Sequence, residues 1–297
     1  MKSDAVFQDL TLQYGKTTAL NGVSSSLQPG TTYGLIGRNG AGKTSLLSLL
    51  ASYRRPTSGS LLIRGENPFE NTARMGDVHF VYSRDVSEED DSVLVNLQHC
   101  ARYRHNFDMD YARSLLQRFK LDPDRPVNKL SVGMQAAVNV IEGLSSGAPI
   151  TLFDEVHHGM DAPSRELFYE ALLECRQDSE RTFVLSTHLV SEMDYLFDHV
   201  QILDQGRLII DEPYDKVVER GVTVTGRTDT VDHFARDHSV INRKTLGDTA
   251  AVMLYGNLAE QDQATAAELG LELSPVSLQE LFIHLTKKEN AYALNQL

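Results

Sequence analysis

The chain has 297 residues, is 41% hydrophobic, and carries 41 Asp and Glu against 28 Lys and Arg, a formal net charge of −13. That size buries a core large enough for one main domain plus a smaller one, and no apolar stretch approaches the ~18 residues needed to cross a bilayer. The acidic balance argues against a nucleic-acid binder, which presents basic stripes, and against adhesion to anionic lipid by charge alone.

Met1-Lys2-Ser3-Asp4 does not open like a signal peptide, and Cys100 and Cys175 offer neither a disulfide framework nor a metal-ligand spacing. Over the first sixty or so residues, short apolar runs such as Val6-Phe7, Leu10-Thr11-Leu12, Ala19-Leu20 and Leu61-Leu62-Ile63 alternate with the turn signals Gly15, Pro29-Gly30 and Pro56-Thr57-Ser58-Gly59. This predicts a small antiparallel sheet. Within it, Thr32-Tyr33-Gly34-Leu35-Ile36 reads as a buried strand and Ser45-Leu46-Leu47-Ser48-Leu49-Leu50 as the start of a helix. Val78-His79-Phe80-Val81 predicts another strand. From about Ser92 to Leu121 the apolar spacing turns helical, through Leu94, Leu97, Ala101, Tyr111, Leu115, Leu116 and Phe119. Ser131 caps a predicted helix through Val132, Ala136, Val140 and Leu144. Apolar runs at 149–153, 182–185 and 200–203, separated by helical patterns, predict parallel strands of an α/β sheet. After Asp211-Glu212-Pro213 the tail mixes strand-like Val222-Thr223-Val224 and Ala251-Val252-Met253-Leu254 with a helix-like run from Leu278 to Thr286.

Between the first buried strand and its helix lies Gly37-Arg38-Asn39-Gly40-Ala41-Gly42-Lys43-Thr44, which fits G-x-x-x-x-G-K-[ST]. Glycines let the backbone curl so that successive N–H groups and the helix start face one anion. Lys43 reaches the β/γ-phosphates and the Thr44 hydroxyl ligates Mg²⁺, so the loop reads as a nucleotide phosphate site. Ile150-Thr151-Leu152-Phe153-Asp154-Glu155 ends a strand in two carboxylates, the first suited to the Mg²⁺ shell and the second to a water attacking the γ-phosphate. Ser186-Thr187-His188 also follows a buried strand, which brings His188 to the sheet edge where open α/β sheets bind ligands.

Over residues 5–215 the chain resembles the ATP-binding subunit of an ABC transporter, of the bacterial export-type subfamily with a C-terminal extension. Leu130-Ser131-Val132-Gly133-Met134-Gln135 looks like the LSGGQ signature, Asp154 to Asp161 like the second carboxylate motif and D-loop, His188 like the switch histidine, and Tyr14 like the adenine-stacking aromatic. The chain departs from the family at Val132 and Met134, which stand for glycine and glutamine, and at Ser83, where the Q-loop glutamine falls.

The resemblance implies an α/β phosphate-loop core with a parallel sheet, an N-terminal antiparallel β subdomain and a helical subdomain at about 84–145. Together these would form an ATP-binding domain at 1–215, with a small α+β extension at 216–297. It implies ATP contacts from Tyr14, Gly37, Arg38, Asn39, Gly40, Ala41, Gly42, Lys43, Thr44 and Ser45, and Mg²⁺ ligation by Thr44, Asp154 and Ser83. Glu155 and His188 would be catalytic, while Ser131, Gly133 and Asp161 would meet the nucleotide of a second ATP-binding subunit, identical or sister, in a head-to-tail dimer. An integral-membrane permease would be the partner, with no nucleic acid involved, and the chain would sit at the cytoplasmic face of the membrane. Acidic Glu88-Glu89-Asp90-Asp91 lies where the resemblance places that permease, as a solvated loop or a match to basic cytoplasmic helices. His157-His158, beside two carboxylates, is read as a packing or dimer-contact pair rather than a metal site. Ser277-Leu278-Gln279-Glu280-Leu281-Phe282 reads as an amphipathic terminal helix, or as the closing segment of drug- or lipid-exporting members. Two rivals remain: a nucleotide-gated regulatory subunit with feeble hydrolysis, and a soluble ABC ATPase acting on ribosomes or DNA.

Overall fold

A computed structural model describes residues 3–177 and 180–287. It begins with β1 (Ala5–Tyr14) and β2 (Thr17–Leu27), then β3 (Thr32–Ile36), α1 (Lys43–Leu50) and β4 (Ser58–Ile63). Next come α2 (Thr72–Gly76), β5 (Val78–Tyr82), α3 (Val93–Tyr103), α4 (Met109–Arg118), α5 (Val132–Ser145), β6 (Ile150–Asp154), α6 (Ala162–Gln177) and β7 (Thr182–Thr187). The chain continues through β8 (His199–Asp204), β9 (Arg207–Pro213), α7 (Tyr214–Glu219), β10 (Gly221–Arg227) and α8 (Thr228–Phe234). It ends with β11 (Val240–Leu246), β12 (Thr249–Tyr255), α9 (Glu260–Glu268), β13 (Glu272–Pro275) and α10 (Leu278–Leu285). Two compact units divide it, residues 1–188 with 203–208, and residues 189–202 with 209–297.

In the first unit, β2-β1-β4 form the antiparallel sheet, and β5, β6, β7 and β3 lie side by side in parallel. All five residues of β3 and all six of β7 are buried, as strands covered on both faces must be, which is why their centres read as apolar runs without alternation. Leu35, Leu46, Leu47, Leu152 and Val184 share one core with Leu10, Leu20 and Leu61 of the antiparallel sheet. The helical stretch at 92–121 is two helices, α3 and α4, capped by the side chains of Ser92 and Asp108. At the C-terminal end of α5, the Arg181 guanidinium donates to the carbonyls of Gly143 (2.9 Å) and Leu144 (2.6 Å) in the last turn and to that of Ala148 (3.0 Å) beyond it.

In the second unit, β11-β12-β10-β13 form an antiparallel sheet whose apolar face buries Val224, Val252 and Leu254 against Val231, Phe234 and Ala266. Ser277 and Glu280 cap α10 reciprocally, with the Glu280 N–H donating to Ser277 Oγ and the Ser277 N–H to Glu280 Oε2, both at 3.3 Å. Leu278, Leu281 and Phe282 of α10 are buried, in keeping with an amphipathic helix. One expectation is corrected. The segment between β7 and β8 holds no α-helix but two 3₁₀ turns, Val190–Glu192 and Asp194–Leu196. Val190, Met193 and Leu196, spaced by three, are its fully buried side chains, which suits three residues per turn rather than 3.6. The tail also holds α8, α9, β11 and β13, which the sequence patterning passes over.

Candidate functional site

The loop between β3 and α1 ends at Gly42, which caps α1 with φ 110°. A Cβ there would lie 2.6 Å from the Ala19 carbonyl oxygen, so conformation and space both require glycine. The Ala41 carbonyl accepts from Gly206 N–H at 2.9 Å, which pins the loop's middle, while Arg38, Asn39 and Gly40 are exposed and Ser45 is half-buried in the first turn. Lys43 is buried and turns back over the loop, donating to the Gly37 carbonyl at 2.8 Å and the Arg38 carbonyl at 3.4 Å. Its third contact is Glu155 Oε1 at 2.9 Å.

Parallel pairing brings the ends of β6 and β7 together, with Asp154 opposite Ser186. Asp154 Oδ2 accepts from Thr44 Oγ1 at 2.6 Å, and Asp154 Oδ1 from Ser186 Oγ at 2.5 Å. Ser186 Oγ in turn accepts from the Glu155 N–H at 3.1 Å. One hydroxyl thus orients both acids. Glu155 holds a left-handed backbone, φ 49°, uncommon for any residue but glycine and stored here at the head of the loop. Its Oε2 lies 3.3 Å from His188 Nδ1 and 3.2 Å from His158 Nδ1. Burial would raise the Glu155 carboxyl, but Lys43, by hydrogen bond and charge, and then His188 and His158 hold it below its usual range. The acid is therefore an ionised one, able to take a proton. His157, in contrast, is buried, and burial first and His158 second push its imidazole down to about 4.

Thr44 and Asp154 present hard oxygen donors side by side, which is the donor chemistry Mg²⁺ prefers. Ser83 is exposed just past β5 and lines a small cavity of about 60 Å³ with Glu155 and His158. Tyr14 is 40% exposed, with the Arg54 guanidinium 5.0 Å from its ring centre. Ser131, Gly133 and Asp161 lie together elsewhere, around a depression of about 150 Å³ that Gly159 and Met134 also line. There Ser131 Oγ accepts from Met134 N–H at 3.3 Å, Asp161 Oδ1 accepts from Ser164 N–H at 2.9 Å, and Val132 is 66% exposed. A Cβ on Gly133 would overlap the Gly159 carbonyl, so the start of α5 touches the loop after Glu155 backbone to backbone.

Sequence reasoning gave no role to Ser186 or Arg54 and read His158 as a packing or dimer-contact residue, not as a neighbour of His188. Ser186 was findable, since in-register parallel strands put the residue before Thr187-His188 beside Asp154. Neither His158 nor Arg54 carries a periodic signal, because both sit on loops that only the folded backbone steers.

A cradle of glycines at a helix start, its lysine and threonine meeting an acid pair at the ends of neighbouring parallel strands, defines a phosphate-loop nucleotide-binding protein. Residues 20–158 match the ABC transporter family profile. The Nod factor export ATP-binding protein I of Cupriavidus metallidurans is 32% identical over 215 residues, 69% of this chain and 69% of its own. The bacitracin transport ATP-binding protein BcrA of Bacillus licheniformis is 28% identical over 219 residues, 71% and 70% of the two chains. A solved ATP-binding subunit of an ABC transporter superposes with a TM-score of 0.65 at 21% identity, covering 72% of this chain and 91% of that one, which bears on fold alone. This chain belongs to the ABC transporter family as an ATP-binding subunit, an ATPase coupled to transport. No described helix is long and apolar enough to cross a membrane.

Proposed function

We propose that this chain hydrolyses MgATP to energise export through a separate integral-membrane subunit. The convergence of Lys43, Thr44, Asp154, Glu155 and His188 on one sheet edge carries the reading. Gly37 to Ser45 wraps the phosphates, Tyr14 stacks on the adenine, and Lys43 leaves Glu155 to meet the γ-phosphate. Thr44 and Asp154 would hold Mg²⁺, with Ser83 nearby as a further oxygen donor, and the ion would supply charge neutralisation for the phosphates. Glu155, freed from Lys43, orients a water and takes its proton as the water oxygen attacks the γ-phosphorus. The bond to the β-phosphate oxygen breaks, and ADP and phosphate leave. His188 hydrogen-bonds the γ-phosphate from the other side of Glu155.

A second ATP-binding subunit completes the site, with Ser131 and Gly133 at the start of α5 offering N–H groups to its nucleotide and Asp161 lying beside them. The exposed Val132 makes that approach bulkier than a glycine would. A groove of about 650 Å³, lined by Tyr53, Tyr82, Arg84, Tyr103 and Glu88 to Asp91, offers an acidic rim. It suits a basic cytoplasmic segment of the permease, which supports a position at the inner membrane face. Export is supported by the Cupriavidus relative, a Nod factor export ATP-binding protein. A rival, nucleotide-gated role with feeble hydrolysis draws on the Lys43–Glu155 pair, which ATP must break, and on Val132 and Met134.

Glu155→Gln separates the two. It keeps shape and one hydrogen-bonding oxygen but removes the base, so turnover falls by about 10²–10⁴-fold while ATP still binds. The closed dimer then accumulates on size exclusion with ATP, tested alone and with any sister ATPase co-expressed. Undiminished turnover in Glu155→Gln sinks the catalytic assignment.

A further inference from the structure

The three side chains at the head of β6 and β7 do something that ATP hydrolysis does not require. Glu155 Oε2 is shared by two imidazoles, His188 Nδ1 at 3.3 Å and His158 Nδ1 at 3.2 Å, while Oε1 goes to Lys43. One ligand atom from each of the three lies within 4.8 Å of the other two. The His188 Nδ1 is buried and makes no hydrogen bond. Both separations exceed the 2.7–2.9 Å usual for a charge-assisted N–H···O⁻ bond, by about 0.3 Å or more. They lie at or within about 0.1 Å of the edge of a tetrahedron around zinc, while the third edge, between the two imidazoles, is within 4.8 Å. Zn–N and Zn–O bonds of about 2.0–2.2 Å set neighbouring ligand atoms about 3.3–3.5 Å apart. We propose that Glu155, His158 and His188 form a binding site for a transition-metal ion of the zinc type, and that occupying it switches hydrolysis off.

The donor set decides the ion. Two imidazoles and one carboxylate hold zinc with a fourth position open to water, whereas Mg²⁺ takes oxygen donors and dehydrates reluctantly. The oxygen pair Thr44 and Asp154 and the nitrogen-rich trio therefore sort two kinds of divalent ion within one site. His158 is the moving part. It is 52% exposed and its ring centre stands 5.1 Å from that of His188, so the site requires its side chain to rotate towards the other two ligands. Lys43 is the opposing charge, but it contacts the far oxygen of Glu155 and has the Gly37 carbonyl as an alternative partner. Binding of the ion stands by itself. Its consequence for hydrolysis rests on the roles given to Glu155 and His188 above, since a carboxylate bound to zinc no longer accepts a proton and a ligated imidazole no longer meets phosphate.

The test is calorimetric titration of ZnCl₂ into the full chain with no nucleotide added. The wild type takes up one tight equivalent, and His158→Ala weakens it by at least about tenfold, the loss typical of disturbing a metal site's shell. His99→Ala, an exposed histidine elsewhere, leaves it unchanged, and millimolar Mg²⁺ does not displace it. Circular dichroism and ATP binding of His158→Ala confirm that its fold persists. Turnover with saturating MgATP is then compared with and without zinc: the wild type loses at least about tenfold and His158→Ala does not, the ratio cancelling any effect on basal rate. A wild type that takes up no zinc, a His158→Ala chain that takes it up as tightly, or displacement by Mg²⁺ overturns the site. Full turnover by the zinc-loaded wild type overturns the switch.

Discussion

Lys43 Nζ sits 2.9 Å from Glu155 Oε1, so the phosphate-loop cation and the acid at the end of β6 neutralise one another. In the proposed function a γ-phosphate would outcompete a carboxylate for that ammonium and so release Glu155 for water. Lys43→Ala removes the cation and leaves Glu155 unpaired. Hydrogen bonds to charged groups contribute about 1.5–3 kcal/mol each, so ATP affinity should fall by at least about tenfold to a hundredfold. Calorimetry reads this directly. Binding like the wild type's would remove Lys43 from the phosphate site.

Ser186 is the hinge pin of the acid pair, donating to Asp154 Oδ1 and accepting from the Glu155 N–H. Ser186→Ala deletes both bonds without touching the phosphate loop. The turnover number should drop about 10–100-fold, as for residues that orient ligands and acids, while ATP affinity stays within a few-fold. Ser186→Thr, which keeps the hydroxyl, should recover most of the rate. Equal loss of affinity and rate in both variants would mean that the strand end has simply unravelled.

How far the sequence alone reaches follows from what kind of signal each residue leaves. Lys43, Thr44, Asp154, Glu155 and His188 sit at fixed offsets from buried strands, and the strands announce themselves through apolar runs such as Thr32 to Ile36. Register then fixes the rest, because Asp154 pairs opposite Ser186 in parallel. His158 has no such register, so its sequence reading stopped at a packing or dimer contact and did not reach its place beside His188. It stands on a loop whose course is set by the left-handed turn at Glu155 and by the contact of Gly159 with Gly133. The stretch before β8 reads as helical for a related reason, since a spacing of three also occurs on a helix face and only its strict repeat at Val190, Met193 and Leu196 marks 3₁₀ turns.

Tyr14 offers an exposed ring with Arg54 near it at 5.0 Å. Stacking on a base contributes about 1–3 kcal/mol, so Tyr14→Ala should weaken ATP binding about five- to a hundredfold and Tyr14→Phe hardly at all. Fluorescent-nucleotide titration distinguishes the two. A Tyr14→Ala chain with unchanged affinity would move the adenine platform elsewhere.

His157 makes the fold acid-sensitive. Its imidazole is held at about 4 in the folded chain by burial and then by His158, with His188 and Arg165 adding to it and Glu155 opposing, against 6.5 as the ordinary value. The unfolded chain thus binds the proton more readily. Stability from this residue is complete above about pH 7, falls as pH drops through 6.5, and levels off below 4. At pH 5 the loss is about 2 kcal/mol relative to pH 7. Urea midpoints at the two values measure it, and His157→Gln should flatten the difference by that amount. An unaltered slope would assign the acid sensitivity to His79, also buried and held at about 3.

The contact between Gly133 and Gly159 separates folding of the subunit from its pairing. A methyl on Gly133 would overlap the Gly159 carbonyl, and Gly159 itself has φ 80° with Val132 packed against it, so neither backbone can retreat freely. Gly133→Ala should therefore displace the start of α5 from the loop that carries Asp161. Overpacking of this kind costs about 1–3 kcal/mol, tolerable for a chain of this size and visible as a lower urea midpoint. ATP binding to the isolated subunit should survive, because Lys43 and Thr44 sit on a separate loop. ATP-induced dimers of the Glu155→Gln background should disappear, because the N–H groups offered to the partner's nucleotide have moved. Size exclusion with ATP, run beside a binding titration on the same protein, reads both. Dimers that persist in the Gly133→Ala, Glu155→Gln double variant would show that the start of α5 is not the surface that receives the second nucleotide.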